Sequence, residues 1–333
     1  MEKLSILNFT RNENILPLIK NVYDIADEIV IIDSSDKEIF EKNKKLKEKY
    51  KKIKLIYIVP LGCVETLRMY GLKKCKNDWV FLLDADELIS SNLKKKILEI
   101  LKNPKYDAYR IYRLNKFINN IDFGGNAEAY DHVIRFFNKN KVIYRGILHE
   151  HPEITGKLFN LEKKYLLYHN VSSKFREYPK IEYYQFRLSF NGLKKELEYR
   201  IRNKFLYKII KKIIDIYLKI LRKNENTELS KLEYFIVFYL NSIITFITNF
   251  SLVVFINRIK HYTEFIKKLD MFSDDERKIQ LKISDEIRNQ DGIIKMLNLD
   301  NEKTIEKLNK KYKSKKIRGI DLLIKLLKEK VKS

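Results

Sequence analysis

Short apolar runs alternate with helical stretches along the first hundred residues. Runs rich in Ile, Val, Leu and Phe predict strands, and the stretches of about ten to fifteen residues between them predict helices. The expected strands are Leu4–Phe9, Glu28–Asp33, Ile53–Val59 and Trp79–Leu83, and the expected helices are Asn14–Tyr23, Asp36–Tyr50, Glu65–Lys74 and Asn92–Leu101. This alternation predicts an α/β fold with a mixed, mainly parallel sheet.

Beyond residue 107 the expected strands are longer and rich in tyrosine. They cover Asp107–Leu114, Asp131–Phe137, Val142–Tyr144 and Tyr165–Tyr168, with turns at Gly124-Gly125 and Arg145-Gly146. We expect them to complete the same domain. A predominantly helical region begins near Pro179 and ends in an amphipathic helix over Ile320–Val331. The pattern therefore predicts one domain over residues 1–180 and a helical C-terminal region over residues 181–333.

An acidic run, Asp84-Ala85-Asp86-Glu87, directly follows the apolar strand that begins at Trp79. Unpaired carboxylates are too costly to bury, so we expect these acids to lie outside the core. Open α/β sheets bind ligands at the carboxyl ends of their strands. Carboxylate oxygens at that place suit Mg²⁺ or Mn²⁺ carrying a diphosphate. The alternative is an acidic loop that favours the start of the next helix.

Three further polar motifs also lie at or near strand ends. Thr10-Arg11-Asn12-Glu13 follows the first strand, Asp33-Ser34-Ser35-Asp36 follows the second, and Arg68 lies on the helix before the acidic strand. We expect all of them to converge on the carboxyl edge of one sheet. Their joint occurrence there indicates a ligand site more strongly than any one motif does.

These motifs, with others downstream, resemble those of the family 2 glycosyltransferases, which have the GT-A (Rossmann-like) fold. The resemblance covers roughly residues 3–180, and its sub-pattern is similar to enzymes that build lipopolysaccharide cores and other surface glycans. The downstream matches are Arg135-Phe136-Phe137, Leu148-His149-Glu150 and His169-Asn170-Val171-Ser172. Two departures stand out: the loop after Asp33 lacks the usual glycine, and Arg68 is flanked by Leu67 and Met69 instead of amides.

The resemblance implies a metal-dependent, inverting glycosyltransferase that moves a sugar from a nucleotide-sugar donor, UDP- or GDP-linked, to a glycan or lipid-linked acceptor. Carried over by motif, the donor-binding residues are Asn12, Glu13, Asp33, Arg68, Asp84 and Arg135; the ligands of Mg²⁺ or Mn²⁺ are Asp86 and His149; and the catalytic base is Glu150. In chemical terms, Asp33 suits a nucleobase or ribose, Arg68 suits a phosphate, and a carboxylate beside the acceptor suits proton removal.

The formal charge of +24, with 68 Lys and Arg against 44 Asp and Glu, leaves other classes open. A basic nucleic-acid-binding protein is one alternative, but no DNA- or RNA-binding signature accompanies the charge, so we expect no nucleic-acid partner. A sugar nucleotidyltransferase is another, although the loop after the first strand contains none of the glycines that such enzymes normally place there.

Two helical segments bear on localisation. Asn191–Lys223 is basic with one apolar face, which suits either packing on the domain or an anionic membrane surface. Tyr234–Asn257 has no charged residue, but its Asn, Ser and Thr content favours a buried or interfacial helix over a transmembrane one. With no signal-peptide pattern and no CxxC motif, we expect a cytoplasmic protein or one peripheral at the inner face of the cell membrane.

Overall fold

The computed structural model describes residues 1–120, 125–147, 150–171, 289–313 and 319–332, with scattered helical positions among 208–216 and 279–287. The chain divides into two compact units. The first comprises Met1–Tyr144, Pro152–Lys174 and Leu299–Gly319, and the second comprises Arg145–His151, Phe175–Asn298 and Ile320–Ser333. The boundary expected between residues 180 and 181 falls outside the described residues and stays a prediction.

The first unit is an α/β structure. Its strands are β1 Leu4–Thr10, β2 Glu28–Asp33, β3 Ile53–Tyr57, β4 Trp79–Asp84, β5 Glu87–Ile89, β6 Ala108–Asn120, β7 Gly125–Asn138, β8 Val142–Ile143, β9 Glu153–Ile154, β10 Leu158–Asn160 and β11 Leu166–Val171. Its first four helices are α1 Leu16–Val22, α2 Lys37–Lys49, α3 Arg68–Lys74 and α4 Ser91–Lys102, and a 3-10 turn at Val64–Leu67 precedes α3. Each strand and helix expected before residue 102 is therefore confirmed, with ends that differ by a few residues.

Nine strands form one sheet in the order β3-β2-β1-β4-β7-β6-β11-β5, with β10 beside β6. Strands β3, β2, β1 and β4 are parallel, and so are the pairings of β6 with β10 and β11. Strand β7 runs antiparallel to both β4 and β6, and β5 runs antiparallel to β11. The predicted mixed, mainly parallel sheet is confirmed.

Strand β7 joins the parallel half of the sheet to the tyrosine-rich half. The ring of Phe136 lies 4.9 Å from Trp79 and 5.8 Å from Phe81 on β4, measured between centroids. On the other side it stacks on Tyr109 of β6 at 5.5 Å. All four rings are buried, and aromatic pairs of this kind add to the stabilisation that burial alone provides. The expectation that both halves share one domain agrees with this common core.

Strand β1 is buried along its whole length because β2 and β4 flank it. Its three buried polar side chains, Ser5, Asn8 and Thr10, each donate a hydrogen bond, while Asn8 Oδ1 has no partner among the described residues. Ser5 Oγ donates to Glu28 Oε2 at 2.8 Å, and Asn8 Nδ2 donates to the Leu83 carbonyl at 2.9 Å. A central strand of a parallel sheet is buried on both faces, so its sequence is a nearly continuous apolar run. The prediction of β1 from the sequence used that run.

A segment near the C-terminus, Leu299–Gly319, belongs to the first unit. It contains helix α6, Glu302–Tyr312, whose Ile305 and Tyr312 are buried. Asn309 on this helix accepts a hydrogen bond from the Val59 N–H at 2.8 Å and donates one to the Tyr57 carbonyl at 3.2 Å. The amide thus satisfies backbone groups at the end of the edge strand β3. Nothing in the sequence pattern predicted that Leu299–Gly319 belongs to the first unit.

In the second unit the structure describes residues 145–147, 150 and 151 of one loop, two helices, and the scattered helical positions given above. The two helices are α5, Ile293–Leu297, and most of α7, Gly319–Lys332. Helix α7 buries Leu322, Leu323, Leu327 and Val331, so the predicted amphipathic helix over Ile320–Val331 is confirmed. Tyr234–Asn257 and most of Asn191–Lys223 lie outside the described residues. Within the part of the chain that the structure describes, no helix has the length and hydropathy needed to cross a bilayer.

We predict that Asn309→Ala lowers the free energy of unfolding by about 2 kcal/mol, because the buried Val59 N–H would lose its acceptor. Urea denaturation of the full chain measures the change. Lys310→Ala, at an exposed position on the same helix, is the control and should leave stability nearly unchanged. Equal effects of the two substitutions would contradict the role assigned to Asn309.

Candidate functional site

The strand-end motifs do meet at one edge of the sheet. In the parallel register Thr10 pairs with Asp33, Phe9 pairs with Asp84, and Asp33 pairs with Tyr57. The carboxyl ends of β3, β2, β1 and β4 therefore lie side by side. The expectation that the motifs after β1, β2 and β4 converge on the carboxyl edge is confirmed, and this edge is where open α/β sheets bind ligands.

The loops after β1 and β2 are tied together by Asn12. Its backbone N–H donates to Ser35 Oγ at 2.8 Å, and its side-chain amide exchanges two hydrogen bonds with Asp36, at 2.9 and 2.8 Å. Asn12 has a φ of 59°, a left-handed conformation that Asn tolerates better than most residues. Beside it, the Glu13 carboxylate accepts from Thr10 Oγ1 at 3.2 Å. Both residues thus shape the loop at the sheet edge.

Asp33 is fully buried at the end of β2. One carboxylate oxygen accepts from the Ser35 N–H and the other from Asn43 Nδ2, each at 2.8 Å. These two bonds fix the carboxylate at the sheet edge. Each carboxylate oxygen has two lone pairs, so Asp33 retains capacity to accept further hydrogen bonds.

A network of buried ion pairs surrounds the acidic run. The Glu87 carboxylate accepts from Arg113 Nη1 at 2.9 Å and from Arg135 Nη2 at 3.0 Å. Arg135 also donates to Asp84, and Arg113 forms a bidentate pair with Asp131 at 3.0 and 2.6 Å. The network connects strands β4, β5, β6 and β7, and bidentate pairs of this kind are among the strongest hydrogen-bonded ion pairs.

The arginines set the charge state of Asp84. Burial opposes ionisation of this carboxyl, but Arg135, Arg68 and Arg113 outweigh it and lower the pKa of Asp84 to about 2. The same network raises the pKa of Arg135, despite its burial, through Asp84 and Glu87. Asp84 is therefore a carboxylate, and Arg135 a cation, throughout the physiological pH range.

The expectation that the acids of this run lie outside the core is wrong for Glu87, whose side chain has no exposed surface. That expectation was based on the free-energy cost of burying an unpaired carboxylate, whereas the Glu87 carboxylate is paired with two guanidinium groups. The sequence analysis did not identify Arg113 or Asp131. Opposite charges at facing positions of β6 and β7 would have indicated them only once the strand register was known.

Asp86 lies outside that network and next to His169. Asp86 Oδ2 is 3.5 Å from His169 Nε2, and the opposite ring nitrogen, Nδ1, is 2.7 Å from Asn115 Oδ1. If Nδ1 carries the proton that Asn115 accepts, Nε2 presents a lone pair towards a carboxylate. Two lone pairs that face each other at that distance suit a cation between them, and a histidine oriented in this way is a common metal ligand.

Of the two predicted metal ligands, Asp86 is described and His149 lies outside the described residues. No group of three or more His, Cys, Asp or Glu side chains that could hold a metal ion occurs among the described residues. Asp86 and His169 supply one oxygen and one nitrogen donor. Such a partial set fits Mg²⁺ or Mn²⁺, which commonly retains water and substrate phosphate ligands.

Arg68 is the first residue of α3 and is 8% exposed. Its guanidinium carbon lies 4.9 Å from the centre of the Tyr144 ring, and a terminal nitrogen lies 3.9 Å from Glu65. Burial opposes its charge, but Tyr144 and Glu65 raise the pKa of Arg68 above its usual value. Its Nε has no hydrogen-bond partner among the described residues. A buried, unsatisfied cationic donor is suited to an anionic ligand.

The predicted base, Glu150, lies in the second unit within the loop Arg145–His151. Its carboxylate is buried and accepts from the backbone N–H groups of Arg145 at 2.9 Å and Gly146 at 2.8 Å. These two donors hold the carboxylate in a fixed orientation. The carboxylate also closes its own loop, a role that the sequence did not indicate. Catalysis by Glu150 stays a prediction.

Comparison with known proteins matches residues 5–166 to the Glycosyl transferase family 2 model. An uncharacterized glycosyltransferase of Rickettsia bellii is 31% identical over 121 residues, which is 35% of this chain and 39% of that protein. A second, from Rickettsia felis, is 32% identical over 120 residues, covering 35% of this chain and 41% of the relative. The chain thus spans about two fifths of the length of these curated relatives.

A solved structure, GalNAc-T7 with UDP, GalNAc and Mn²⁺, shares 20% identity over 35% of this chain and 24% of its own, with a TM-score of 0.30. A likeness of that extent carries no argument about this site. The family match, in contrast, contains strands β1 to β10, the start of β11 and all of the strand-end motifs described above. Its expected GT-A architecture agrees with the mixed sheet of the first unit. Over residues 5–166, just under half of its length, the chain is therefore similar to glycosyl transferase family 2.

Proposed function

We propose that this protein transfers a sugar from a nucleotide-sugar donor, UDP- or GDP-linked, to a glycan or lipid-linked acceptor in the synthesis of cell-surface polysaccharide or glycolipid. One observation carries the proposal. The parallel register places Asp33 and Asp84 on either side of β1, at the carboxyl edge of the sheet, within residues that match the family model. The family match favours sugar transfer over the nucleic-acid-binding and nucleotidyltransferase alternatives.

The nucleoside of the donor would bind at the β1–β2 end of this edge. Ser35 and Asn43 hold the Asp33 carboxylate in place, and a nucleobase N–H or a ribose hydroxyl would donate to it once the atoms that cover this buried side chain move aside. Asn12 and Glu13 form the adjacent loop and would limit how the nucleobase and ribose enter the site. Fixed acceptors of this kind give specificity because a ligand without the matching donor leaves them unsatisfied.

The diphosphate would bind near the acidic run. Asp86 and His169 would hold Mg²⁺ or Mn²⁺, with His149 as the further ligand that the family resemblance implies. Bound there, the ion supplies Lewis-acid stabilisation of the charge that develops on the leaving diphosphate. Arg68 would donate its unsatisfied Nε–H to a phosphate oxygen. Arg135 would hold Asp84 in place, leaving Asp84 to contact ribose or metal-bound water.

The transfer itself requires a base for the acceptor. In an inverting reaction the acceptor hydroxyl oxygen forms a bond to the anomeric carbon while the bond from that carbon to the diphosphate breaks. The hydroxyl proton would pass to the Glu150 carboxylate, and the released diphosphate takes the electron pair of the broken bond. The transition state resembles an oxocarbenium ion, as in other displacements at this carbon. A cytoplasmic location and peripheral contact with an anionic membrane remain predictions of the sequence.

We predict that Asp86→Asn weakens nucleotide binding in the presence of Mn²⁺ by about tenfold or more, because the metal loses a charged ligand. Calorimetric titration of the full chain with UDP, GDP and CMP, each with and without Mn²⁺, measures the effect. Asp78→Asn is the matched control. Asp78 lies just before β4, at the opposite end of the strand, and is mostly exposed.

The comparison gives clear outcomes. Mn²⁺-dependent binding of one nucleotide, weakened in Asp86→Asn and kept in Asp78→Asn, identifies the donor class. No nucleotide binding by the wild-type protein would refute the proposed donor site. Equal losses in the two variants would show that Asp86 has no specific part in it.

We also predict that Glu87→Gln lowers the free energy of unfolding by about 3 kcal/mol and weakens nucleotide binding. The substitution keeps the shape of the side chain but leaves two buried guanidinium groups without the carboxylate between them. Chemical denaturation and the same calorimetric titration measure the two effects.

Glu99→Gln serves as the control for this substitution. Glu99 is exposed on α4 and pairs only with Lys96 at the surface, so the change in stability should stay below about 0.5 kcal/mol. If Glu87→Gln proves no more destabilising than Glu99→Gln, the ion-pair network does not have the structural importance assigned to it.

A further inference from the structure

The loop that carries Glu150 is attached to a segment near the C-terminus. Both the loop, Arg145–His151, and the segment, residues 287–298, belong to the second unit. The family match ends at residue 166, so this segment lies outside the part of the chain that the family describes. Among the described residues, the hydrogen bonds between the segment and the loop involve Arg145.

Arg145 is held by its side chain and by its carbonyl. Its Nε donates to Asp291 Oδ1 at 2.7 Å, and its carbonyl accepts from the Ile294 N–H, in helix α5, at 3.0 Å. The other Asp291 oxygen accepts from the exposed Lys295 at 3.2 Å. Burial opposes the charge on Asp291, but Arg145 and Lys295 outweigh it and lower the pKa of its carboxyl.

The backbone of the segment is shaped for this contact. Asp291 has a φ of 55° and Gly292 a φ of 120°, both in the left-handed region. A Cβ added to Gly292 would lie 2.4 Å from the Arg145 carbonyl oxygen, which is far inside van der Waals contact. Only glycine permits this approach, and the Gly292 N–H is used in turn by the Ile287 carbonyl at 2.8 Å.

The same residue, Arg145, also holds Glu150. Its backbone N–H, with that of Gly146, donates to the Glu150 carboxylate. Three groups of Arg145 therefore act together: the N–H fixes the carboxylate, while the guanidinium and the carbonyl fix Arg145 to the segment. A displacement of Asp291 or Gly292 would pass directly to the position of the Glu150 oxygens.

We infer that Asp291 and Gly292 are positioning residues for Glu150, so that the C-terminal segment fixes the geometry of proton removal from the acceptor. The inference rests on the proposed function, in which Glu150 is the base. It assigns the segment a part in the transfer step and none in donor binding. The loss expected on substitution is therefore in turnover, because small misplacements of a catalytic group lower the rate steeply.

The test uses Asp291→Asn, Gly292→Ala and the double variant Arg145→Gln/Asp291→Asn in the full chain. We expect kcat for transfer from the donor sugar nucleotide to fall by about tenfold in each. The Kd for UDP or GDP with Mn²⁺ should stay within about twofold of wild type. Because Arg145 and Asp291 act as one pair, the double variant should lose little more than Asp291→Asn does.

Lys295→Gln is the matched control, since Lys295 is exposed and pairs with the same carboxylate through the other Asp291 oxygen. It should leave kcat unchanged. Hydrogen exchange gives a readout that does not depend on turnover. The amide protons of Arg145 and Gly146 should exchange about tenfold faster in Asp291→Asn than in wild type or Lys295→Gln, since the loop would open more often.

Unchanged kcat and unchanged amide exchange in Asp291→Asn and Gly292→Ala would overturn the inference. A fall in nucleotide affinity equal to the fall in kcat would also overturn it, because the residues would then support the whole fold. If the wild-type protein transfers no sugar from any UDP- or GDP-linked donor, the proposed function fails. If the wild type transfers sugar and the variants match it, the inference alone fails.

Discussion

Glu87 carries its negative charge at a position with no exposed surface, held there by the guanidinium groups of Arg113 and Arg135. The rest of the candidate site depends on this pairing. It fixes Arg135, which fixes Asp84, and it joins β5 to β6 and β7. A buried ion pair is costly to form and far more costly to break, since removing one member leaves the other charged and unsolvated. The network therefore stabilises one arrangement of the sheet edge more than it stabilises the fold as a whole.

The elements before residue 102 could be predicted from sequence because each is defined by local periodicity. The apolar run Glu28–Asp33 and the capped helix after Ser90 need no information from distant residues. The parallel order of the strands, and with it the meeting of Asp33 and Asp84 at one edge, follows from the short helical connections between them. By contrast, nothing in the sequence distinguishes Arg113 from any other basic residue of a tyrosine-rich strand. Its pairing with Glu87 depends on a register between strands that no local pattern specifies.

The candidate site, like the fold, could be predicted only where a local sequence pattern was enough. Residue types at strand ends identified Asp33, Asp84 and Asp86 as candidates, but not what each one contacts. Asp33 is held by Asn43, ten residues away on α2, and Asp84 is held by Arg135 from β7. His169 lies beside Asp86 because β11 pairs with β5. Strand β5 has three residues and begins at the last residue of the acidic run, so the sequence did not predict it. Such contacts arise from tertiary packing, and motif spacing contains no measure of them.

The return of Leu299–Gly319 to the first unit has a consequence for how the protein folds during synthesis. Val59 is made early, yet the acceptor for its N–H, Asn309, lies 250 residues further along the chain. A chain emerging from the ribosome therefore cannot complete the β3 edge of its sheet until Asn309 has been translated. Contacts of such long sequence separation form slowly, and an unfinished sheet edge invites pairing with other chains. The sheet edge at β3 is thus exposed to other chains for as long as the 250 residues between Val59 and Asn309 take to be translated.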